Sequence, residues 1–310
     1  MRITLLHHTR LPVKGYGGTE RVVVALARGL AALGHEVSLI APTGTTVREV
    51  RVVPVVSRIM RSRAFDPTPL VPPGTEILHA FFQLPVTPAQ PWVWTLEGTT
   101  RAGTPRPPNT IYVSRDHAAR HGSTSFVYNG LDPADLTFRA SKGDYDLFLG
   151  RLHQSKGYHW AIEGARAAGR RLIVAGGWRP TLSRQLRFAG EVHGARKADL
   201  LAGARLLWMP ALWDEPFGLT LIEALWSGTP VLATRRGALP EVLGAEVAEF
   251  GDTVEELVAR LPAMATKDPA ACRARAERYF SHLRMAEEYL RCYRAFLAEG
   301  QLPAGLATDG

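Results

Sequence analysis

Short apolar runs alternate with amphipathic stretches along the chain, and this alternation predicts strands that take turns with helices. Residues 2–6 form a buried-strand pattern, residues 19–30 repeat apolar side chains at helical spacing, and residues 36–41 form the next strand. Thr19 is a natural N-cap for the helix, which follows the glycine loop 15–18. The chain therefore opens as a βαβ unit with a glycine loop at the crossover.

The second half of the chain repeats the alternation. Strand patterns lie at 146–150, 171–175 and 206–210, and helix patterns lie at 158–168 and 197–202. Residues 54–108 are instead rich in proline and poor in helix pattern. We expect loops and irregular structure there, with short strands at 77–82 and 92–95.

A polar, glycine-containing link at residues 141–144 divides these halves. It predicts an N-terminal domain at 1–142 and a C-terminal domain at 143–284, both of the α/β class. Residues 285–300 carry apolar side chains on one helical face, so this closing helix is expected to pack back toward the N-terminal domain. A length of 310 residues suits two domains of roughly 150 residues each.

No apolar stretch approaches the roughly 18 to 20 residues of a membrane span, and the N-terminus turns polar too soon for a signal peptide. Cys272 and Cys292 have no metal-binding spacing and are typical of a reducing compartment. The sequence therefore predicts a cytoplasmic protein.

The 37 basic and 29 acidic side chains give a net charge of +8, which suits nucleic acid, an anionic membrane or phosphorylated substrates. The sequence has no nucleic-acid motif and no basic stripe with interleaved aromatic residues, so nucleic acid is not expected. Arg58, Arg61 and Arg63 gather in one loop. A solvated basic face is the favoured interpretation, and peripheral contact with the inner face of an anionic membrane is the alternative.

Two carboxylates, Glu215 and Glu223, stand eight residues apart across a Pro-Phe-Gly turn that leads into an apolar helix pattern. If the helix starts near Gly218, Glu223 faces back toward the turn that carries Glu215. Carboxylates can accept hydrogen bonds from the hydroxyls of a polyol, while a helix N-terminus can hold an anion. The segment therefore predicts a site for a sugar nucleotide.

Arg151 and Lys156 follow the strand pattern 146–150, at the end of the strand where ligands bind in α/β proteins. A nucleoside diphosphate leaving group develops negative charge, which fixed cations or a metal must stabilise. These two side chains are well placed to replace a metal. The D-x-D pattern of Asp144 and Asp146 lies at the domain link, and we do not expect it to bind metal.

Together, five motifs resemble the retaining, nucleotide-sugar-dependent glycosyltransferases of family 4. They are Gly17 to Glu20, Asn129 to Asp132, Gly150 to Gly157, Glu215 to Gly218 with Glu223, and Gly237 to Glu241. The resemblance implies the GT-B fold, in which two Rossmann-like α/β domains face each other across a cleft. It also implies transfer of a hexose from a UDP-, GDP- or ADP-sugar to a small-molecule, saccharide or lipid-linked acceptor, with retention of configuration and without a metal or other cofactor.

The resemblance also assigns roles to residues. Arg151 and Lys156 would hold the diphosphate, Glu215 would lie near the transferred sugar, and Glu223 would bind the ribose. Backbone N–H groups for the sugar and the distal phosphate would come from Phe217, Gly218, Leu219 and Thr220. In the other domain, Gly17 and Gly18 would let the first helix approach the phosphate, because any side chain there would obstruct it.

One position departs from the family pattern. Glu97 occupies the place after a strand of the first domain where many family members carry a histidine that contacts the sugar or acceptor. A carboxylate could orient an acceptor hydroxyl or accept its proton, so Glu97 is a candidate catalytic residue.

This departure leaves alternatives open: a non-catalytic sugar-nucleotide-binding protein, a subunit that needs a partner, or a GT-B epimerase. A GT-B phosphorylase fits less well, because it would need a pyridoxal-binding lysine in a much longer chain. The intact set of Arg151, Lys156, Glu215 and Glu223 favours the glycosyltransferase.

Overall fold

The computed structural model describes residues 1–13, 15, 17–99, 104 and 106–309. Tyr16, in the predicted glycine loop, lies outside the described residues. The chain forms two compact units. Unit 1 comprises Met1–Leu131 and Ser281–Leu306, and unit 2 comprises Asp132–Phe280 and Ala307–Gly310. The boundary between the units therefore lies upstream of the link at 141–144, and the closing helix belongs to unit 1.

Unit 1 is built on a six-stranded parallel sheet with the strand order β3-β2-β1-β4-β5-β6. Its strands are β1 (Arg2–Leu6), β2 (Glu36–Pro42), β3 (Arg51–Val55), β4 (Ile77–Ala80), β5 (Trp92–Leu96) and β6 (Thr110–Tyr112). The strands read as apolar runs rather than as alternating patterns, because helices and loops cover both faces of a parallel sheet. Its helices are α1 (Gly18–Ala32), α2 (Ser57–Met60), α3 (Arg115–Ala119) and the last helix of the chain, α11 (His282–Glu299).

Helix α1 begins at Gly18, and Gly17 is its N-cap residue. The expectation that Thr19 caps the helix is therefore wrong, because Thr19 already lies in the first turn. Further along, α1 packs closely against α11. A Cβ at Gly29 would lie 2.5 Å from the carbonyl oxygen of His282, so this approach requires glycine.

A buried hydrogen-bonded chain joins α11 to the centre of the unit 1 sheet. His79 on β4 bonds the hydroxyl of Tyr293 at 2.6 Å and that of Thr95 at 2.8 Å, and Thr95 bonds the hydroxyl of Tyr289 at 2.9 Å. Burial lowers the pKa of His79 to about 3, so the imidazole is neutral at physiological pH. The closing helix is thereby held by specific polar contacts as well as by apolar packing.

Unit 2 carries a second six-stranded parallel sheet, with the order β12-β11-β10-β7-β8-β9. Its strands are β7 (Asp146–Leu149), β8 (Leu172–Ala175), β9 (Leu186–Gly190), β10 (Leu207–Met209), β11 (Val231–Ala233) and β12 (Ala248–Phe250). Its helices are α4 (Tyr158–Ala167), α5 (Gly194–Gly203), α6 (Leu219–Trp226), α7 (Leu239–Leu243), α8 (Val254–Ala259), α9 (Leu261–Met264) and α10 (Pro269–Tyr279).

The strand order of unit 2 reverses direction between β7 and β10, which are neighbours in the sheet although β8 and β9 separate them in sequence. Ligands of open α/β sheets bind at such a point.

Among the described residues, no helix combines the length and the apolar character that crossing a membrane requires.

Candidate functional site

Two loops of unit 2 meet at the reversal point, one following β7 and the other following β10. The backbone N–H of Leu212 donates to the carbonyl of Ser155 at 2.8 Å. Gly157 has a φ of 70°, and a Cβ there would lie 1.7 Å from the carbonyl oxygen of Pro210. Only glycine permits this approach, which places Lys156 beside the loop that carries Glu215.

Lys156 and Glu215, which the sequence assigned to one site, form a direct ion pair. Lys156 Nζ donates to Glu215 Oε2 at 2.6 Å, and the two side chains are 20% and 11% exposed. The indole N–H of Trp213 donates to the same oxygen at 3.1 Å. The Lys156 ammonium also lies 4.6 Å from the centre of a Trp213 ring. Sequence reasoning missed Trp213, although an aromatic residue beside a carboxylate in a loop after a strand is a usable signal.

The backbone of Glu215 is held from its other side by the loop after β11. The N–H of Ala238 donates to the carbonyl of Glu215 at 2.9 Å. Gly237 has a φ of 59°, and a Cβ there would lie 2.5 Å from both the N and the O atoms of Glu215. The Gly237 motif is therefore part of the support for Glu215.

Helix α6 starts directly after Gly218, which has a φ of 89° and serves as the N-cap residue. The predicted start near Gly218 is therefore observed. Phe217 is buried and packs edge-on against Phe280, with ring centres 5.9 Å apart. This packing fixes the turn from which Leu219 and Thr220 enter the helix.

Glu223 points from α6 into a second ion pair. Its Oε1 accepts from Nζ of Lys197 on α5 at 2.5 Å, and Glu223 is 3% exposed. Glu215 and Glu223 thus bond different lysines. Sequence reasoning missed Lys197, which lies in a separate helix whose polar residues resemble an ordinary solvated face.

Arg151 is placed differently from Lys156. Its side chain is exposed, and within the described part of the chain it makes no hydrogen bond or ion pair. The structure therefore does not bring Arg151 into the contact between Lys156 and Glu215.

The D-x-D pattern has a structural role. Asp146 is fully buried, and its carboxylate accepts hydrogen bonds from Arg170 at 2.7 and 2.9 Å, from Arg205 at 3.1 Å and from Trp208 at 3.2 Å. Asp144 is exposed and pairs with Arg171. Three side chains thus occupy the acceptor positions of Asp146.

In unit 1, Glu97 follows β5 directly. The amide of Asn129 donates to Glu97 Oε2 at 2.8 Å, while Glu97 Oε1 is buried and has no hydrogen-bond partner among the residues that the structure describes. Burial raises the pKa of the Glu97 carboxyl to about 7, a value that also includes a lowering effect of the hydrogen bond from Asn129 and a smaller raising effect of the nearby Glu20 carboxylate. Glu97 can therefore change protonation state near neutral pH, as a general acid or base requires.

The glycine loop of unit 1 lies next to Glu20. A Cβ at Gly17 would lie 2.8 Å from Glu20 Oε2 and 2.6 Å from a methyl group of Val13. His7, which follows β1, is buried, and its Nε2 lies 4.0 Å from Glu20 Oε1. Gly17 and Gly18 therefore lie close to a polar cluster at the carboxyl edge of the unit 1 sheet.

Two family models match the sequence, one in each unit. "Glycosyltransferase Family 4" matches residues 16–85, and "Glycosyl transferases group 1" matches residues 145–267. An uncharacterized glycosyltransferase of Methanocaldococcus jannaschii is 28% identical over 151 residues, which are 39% of this chain. The alignment spans 38% of that relative's length.

Solved structures of glycosyltransferases match nearly the whole chain. AviGT4, a glycosyltransferase involved in avilamycin A biosynthesis, is 28% identical with a TM-score of 0.76, and the match covers 96% of this chain and 98% of AviGT4. HepE of Anabaena, in complex with UDP-glucose, is 15% identical with a TM-score of 0.66, covering 94% and 98% of the two chains. The likeness to HepE concerns the fold alone. The chain therefore carries a match to family 4 glycosyltransferases in unit 1 and to group 1 glycosyltransferases in unit 2, and its two six-stranded parallel sheets match the GT-B fold of solved glycosyltransferases.

Proposed function

We propose that this protein is a retaining, metal-independent glycosyltransferase that moves a hexose from a nucleoside diphosphate sugar to an acceptor hydroxyl. The observation that carries the proposal is the ion pair of Lys156 and Glu215 at the reversal point of the unit 2 sheet. It combines a cation for a diphosphate with a carboxylate for sugar hydroxyls at the edge where α/β sheets bind ligands.

In this proposal, each residue of the unit 2 site binds a different part of the donor. Lys156 and Arg151 hold the diphosphate and stabilise the charge that develops on the leaving group. Glu215 accepts hydrogen bonds from the transferred sugar, and Glu223, oriented by Lys197, accepts them from the ribose. The backbone N–H groups of residues 217–220 complete the unit 2 part of the site at the start of α6.

The donor is a UDP-, GDP- or ADP-sugar. UDP-glucose is the first candidate to test, because a protein of the same fold has been crystallised with it. Fixed cations would fulfil the role of a divalent ion, so catalysis would require no metal and no other cofactor.

Glu97 is the proposed contact with the acceptor, whether that is a small molecule, a saccharide or a lipid-linked sugar. Asn129 donates to one oxygen of the Glu97 carboxylate, and the other oxygen accepts no hydrogen bond from the described part of the chain. An acceptor hydroxyl can donate to that second oxygen. Glu97 would orient the hydroxyl and accept its proton in the ionised state.

Residues 56–63 of unit 1 supply the proposed contact with an anionic membrane. Val56 and Ile59 are 57% and 53% exposed, and exposed arginines, Arg58, Arg61 and Arg63, stand beside them. Aliphatic side chains can enter the interface while guanidinium groups bind lipid phosphates. The contact is tested by sedimentation with anionic vesicles at low and high salt, and failure to bind at low salt would contradict it.

The proposed function is tested by thermal unfolding with UDP, GDP, ADP and their sugar conjugates, in magnesium and in EDTA. A ligand at 100 times its dissociation constant adds about 2.7 kcal/mol to the free energy of unfolding. We expect one nucleotide series to stabilise the protein equally with and without magnesium. No shift with any nucleotide would contradict the donor site.

Activity separates the enzyme from a non-catalytic binder. The enzyme should release nucleoside diphosphate slowly from its donor even without an acceptor, and Glu215→Gln should reduce this turnover more than it reduces nucleotide affinity. A pure binder would show stabilisation and no release, while an epimerase would convert the sugar without releasing it.

A further inference from the structure

One aromatic side chain contacts both charged groups of the proposed donor site. The Trp213 indole N–H bonds Glu215 Oε2 at 3.1 Å, and a ring of the same indole lies 4.6 Å from the Lys156 ammonium. Lys156 in turn bonds that same oxygen at 2.6 Å. The three groups form a closed triangle of contacts.

We propose that Trp213 is a positioning residue that sets the geometry between Lys156 and Glu215 for the donor's diphosphate and sugar. The proposal rests on the function proposed above. Trp213 is assigned no contact with the donor and acts through the two residues that it holds.

A lysine–glutamate pair alone would be a weak determinant of geometry. Partly exposed ion pairs contribute little, because two long side chains must be ordered against solvent. A lysine can keep its charge paired in several rotamers, so the pair by itself leaves Nζ free to move. A site that binds phosphate with one partner and hydroxyls with the other needs both at fixed positions.

Trp213 supplies the missing restraints from a single rigid plane. The N–H lies at the ring edge and directs one carboxylate oxygen, through a charge-assisted hydrogen bond. The ring face attracts the ammonium through its quadrupole. The indole has only two side-chain torsions, so ordering it loses little conformational freedom.

The remaining atoms of the triangle are fixed by the backbone. The N–H of Leu212 donates to the carbonyl of Ser155, which joins the two loops next to Trp213 and Lys156. Gly237 and Ala238 hold the backbone of Glu215. Trp213 is therefore the side-chain element that completes a scaffold whose main chain is already set.

The two contacts of the indole, with Glu215 and with Lys156, can be separated by substitution. If Trp213 only filled space, the substitutions would weaken binding of both ligands equally. Trp213→Phe keeps an aromatic face for Lys156 and removes the N–H for Glu215. Trp213→Leu removes both. Trp160→Phe is the matched control, because Trp160 is also partly buried in unit 2 but packs against apolar core residues.

The experiment measures the affinity of each variant for a nucleoside diphosphate and for its sugar conjugate, together with Tm. In Trp213→Phe, we expect affinity for the sugar conjugate to fall about tenfold, the size of one hydrogen bond to a charged group, with affinity for the diphosphate changing by less than about threefold. In Trp213→Leu, affinity for the diphosphate should fall by a further two- to fivefold or so, the contribution of a partly exposed cation–π contact. Trp160→Phe should change neither the affinity for the diphosphate nor the affinity for the sugar conjugate.

Equal loss for both ligands in Trp213→Phe and Trp213→Leu, in parallel with a fall in Tm, would overturn the proposal in favour of simple packing. Unchanged affinities in both variants would overturn it as well. If the wild-type protein bound no nucleotide, the result would contradict the function proposed above rather than the role of Trp213 alone. That result is distinct from these outcomes, because it appears before any substitution is made.

Discussion

Gly157 offers a direct test of how the two loops of the proposed donor site meet. A Cβ at this position would lie 1.7 Å from the carbonyl oxygen and 2.7 Å from the carbonyl carbon of Pro210. Both atoms belong to the backbone at the end of β10, so no side-chain rotation can relieve the overlap. Gly157→Ala must therefore move either the start of α4 or the loop that leads to Glu215.

The expected magnitude has two parts. A non-glycine residue in the left-handed conformation costs roughly 1–2 kcal/mol, and overpacking of a dense region costs about 1–3 kcal/mol more. Gly157→Ala should therefore lower the free energy of unfolding by about 2–5 kcal/mol. Gly169 is the matched control, because its φ is 64° but no atom lies within 4 Å of the added Cβ. Gly169→Ala should lose only about 1–2 kcal/mol.

Urea denaturation of both variants, followed by circular dichroism, measures the stabilities, and nucleotide-dependent thermal shifts measure the function. We expect Gly157→Ala to weaken nucleotide binding about tenfold, since Lys156 moves relative to Glu215 and a hydrogen bond between charged groups is lost. Gly169→Ala should bind nucleotide normally. Equal stabilities for the two variants, or normal binding by Gly157→Ala, would refute the close approach of residue 157 to Pro210.

Three further predictions concern other residues. The pKa of Glu97 is raised from its ordinary value of 4.5 to about 7, so the stability that its protonated form contributes is fully present below about pH 4.5 and is lost as pH rises through about 7. Between pH 4.5 and 8, the Tm of Glu97→Gln should therefore rise relative to the Tm of wild type. A difference in Tm that stays constant with pH would contradict the raised pKa. Asp146→Ala should lose about 1–3 kcal/mol in urea denaturation, because it leaves the buried indole N–H of Trp208 and the partly exposed guanidinium groups of Arg170 and Arg205 without their acceptor. The exposed Asp144→Ala is its control and should stay within about 0.5 kcal/mol of wild type. Gly237→Ala should reduce turnover even at temperatures well below its Tm, because the added Cβ would press on the backbone of Glu215. Unchanged turnover would show that this contact does not position Glu215.

The strands and the approach of Lys156 to Glu215 were predictable from the sequence for a physical reason. Parallel strands are buried on both faces, so β1, β2 and β7 read as continuous apolar runs. Residues at the carboxyl ends of neighbouring strands converge, which is why Lys156 after β7 and Glu215 after β10 form a pair although they lie far apart in sequence.

Other features depend on contacts that no local pattern records. Lys197 lies on a short helix, and only the folding of α5 beside α6 brings it to Glu223. Thr19 has the side chain of a good N-cap, but the N-cap is Gly17, two residues earlier, where a Cβ would meet Glu20 and Val13. The unit boundary at Leu131 likewise follows a contact between distant residues, because Leu131 forms an isolated parallel bridge with Ser281 and accepts a hydrogen bond from the backbone N–H of His282.

The charges around the proposed donor site of unit 2 explain why a diphosphate needs a cation besides Lys156 and Lys197. Lys156 and Lys197 are each paired with a glutamate, so the two ion pairs together carry no net charge. A diphosphate therefore meets a local surface that is polar but balanced, and it gains most from a cation that has no carboxylate partner. Among the predicted donor residues that the structure describes, Arg151 fits that role, because its side chain is exposed and unpaired within the described chain. The proposed site thus combines two glutamates that accept hydrogen bonds from hydroxyls with two cations for the phosphates, the paired Lys156 and the unpaired guanidinium of Arg151.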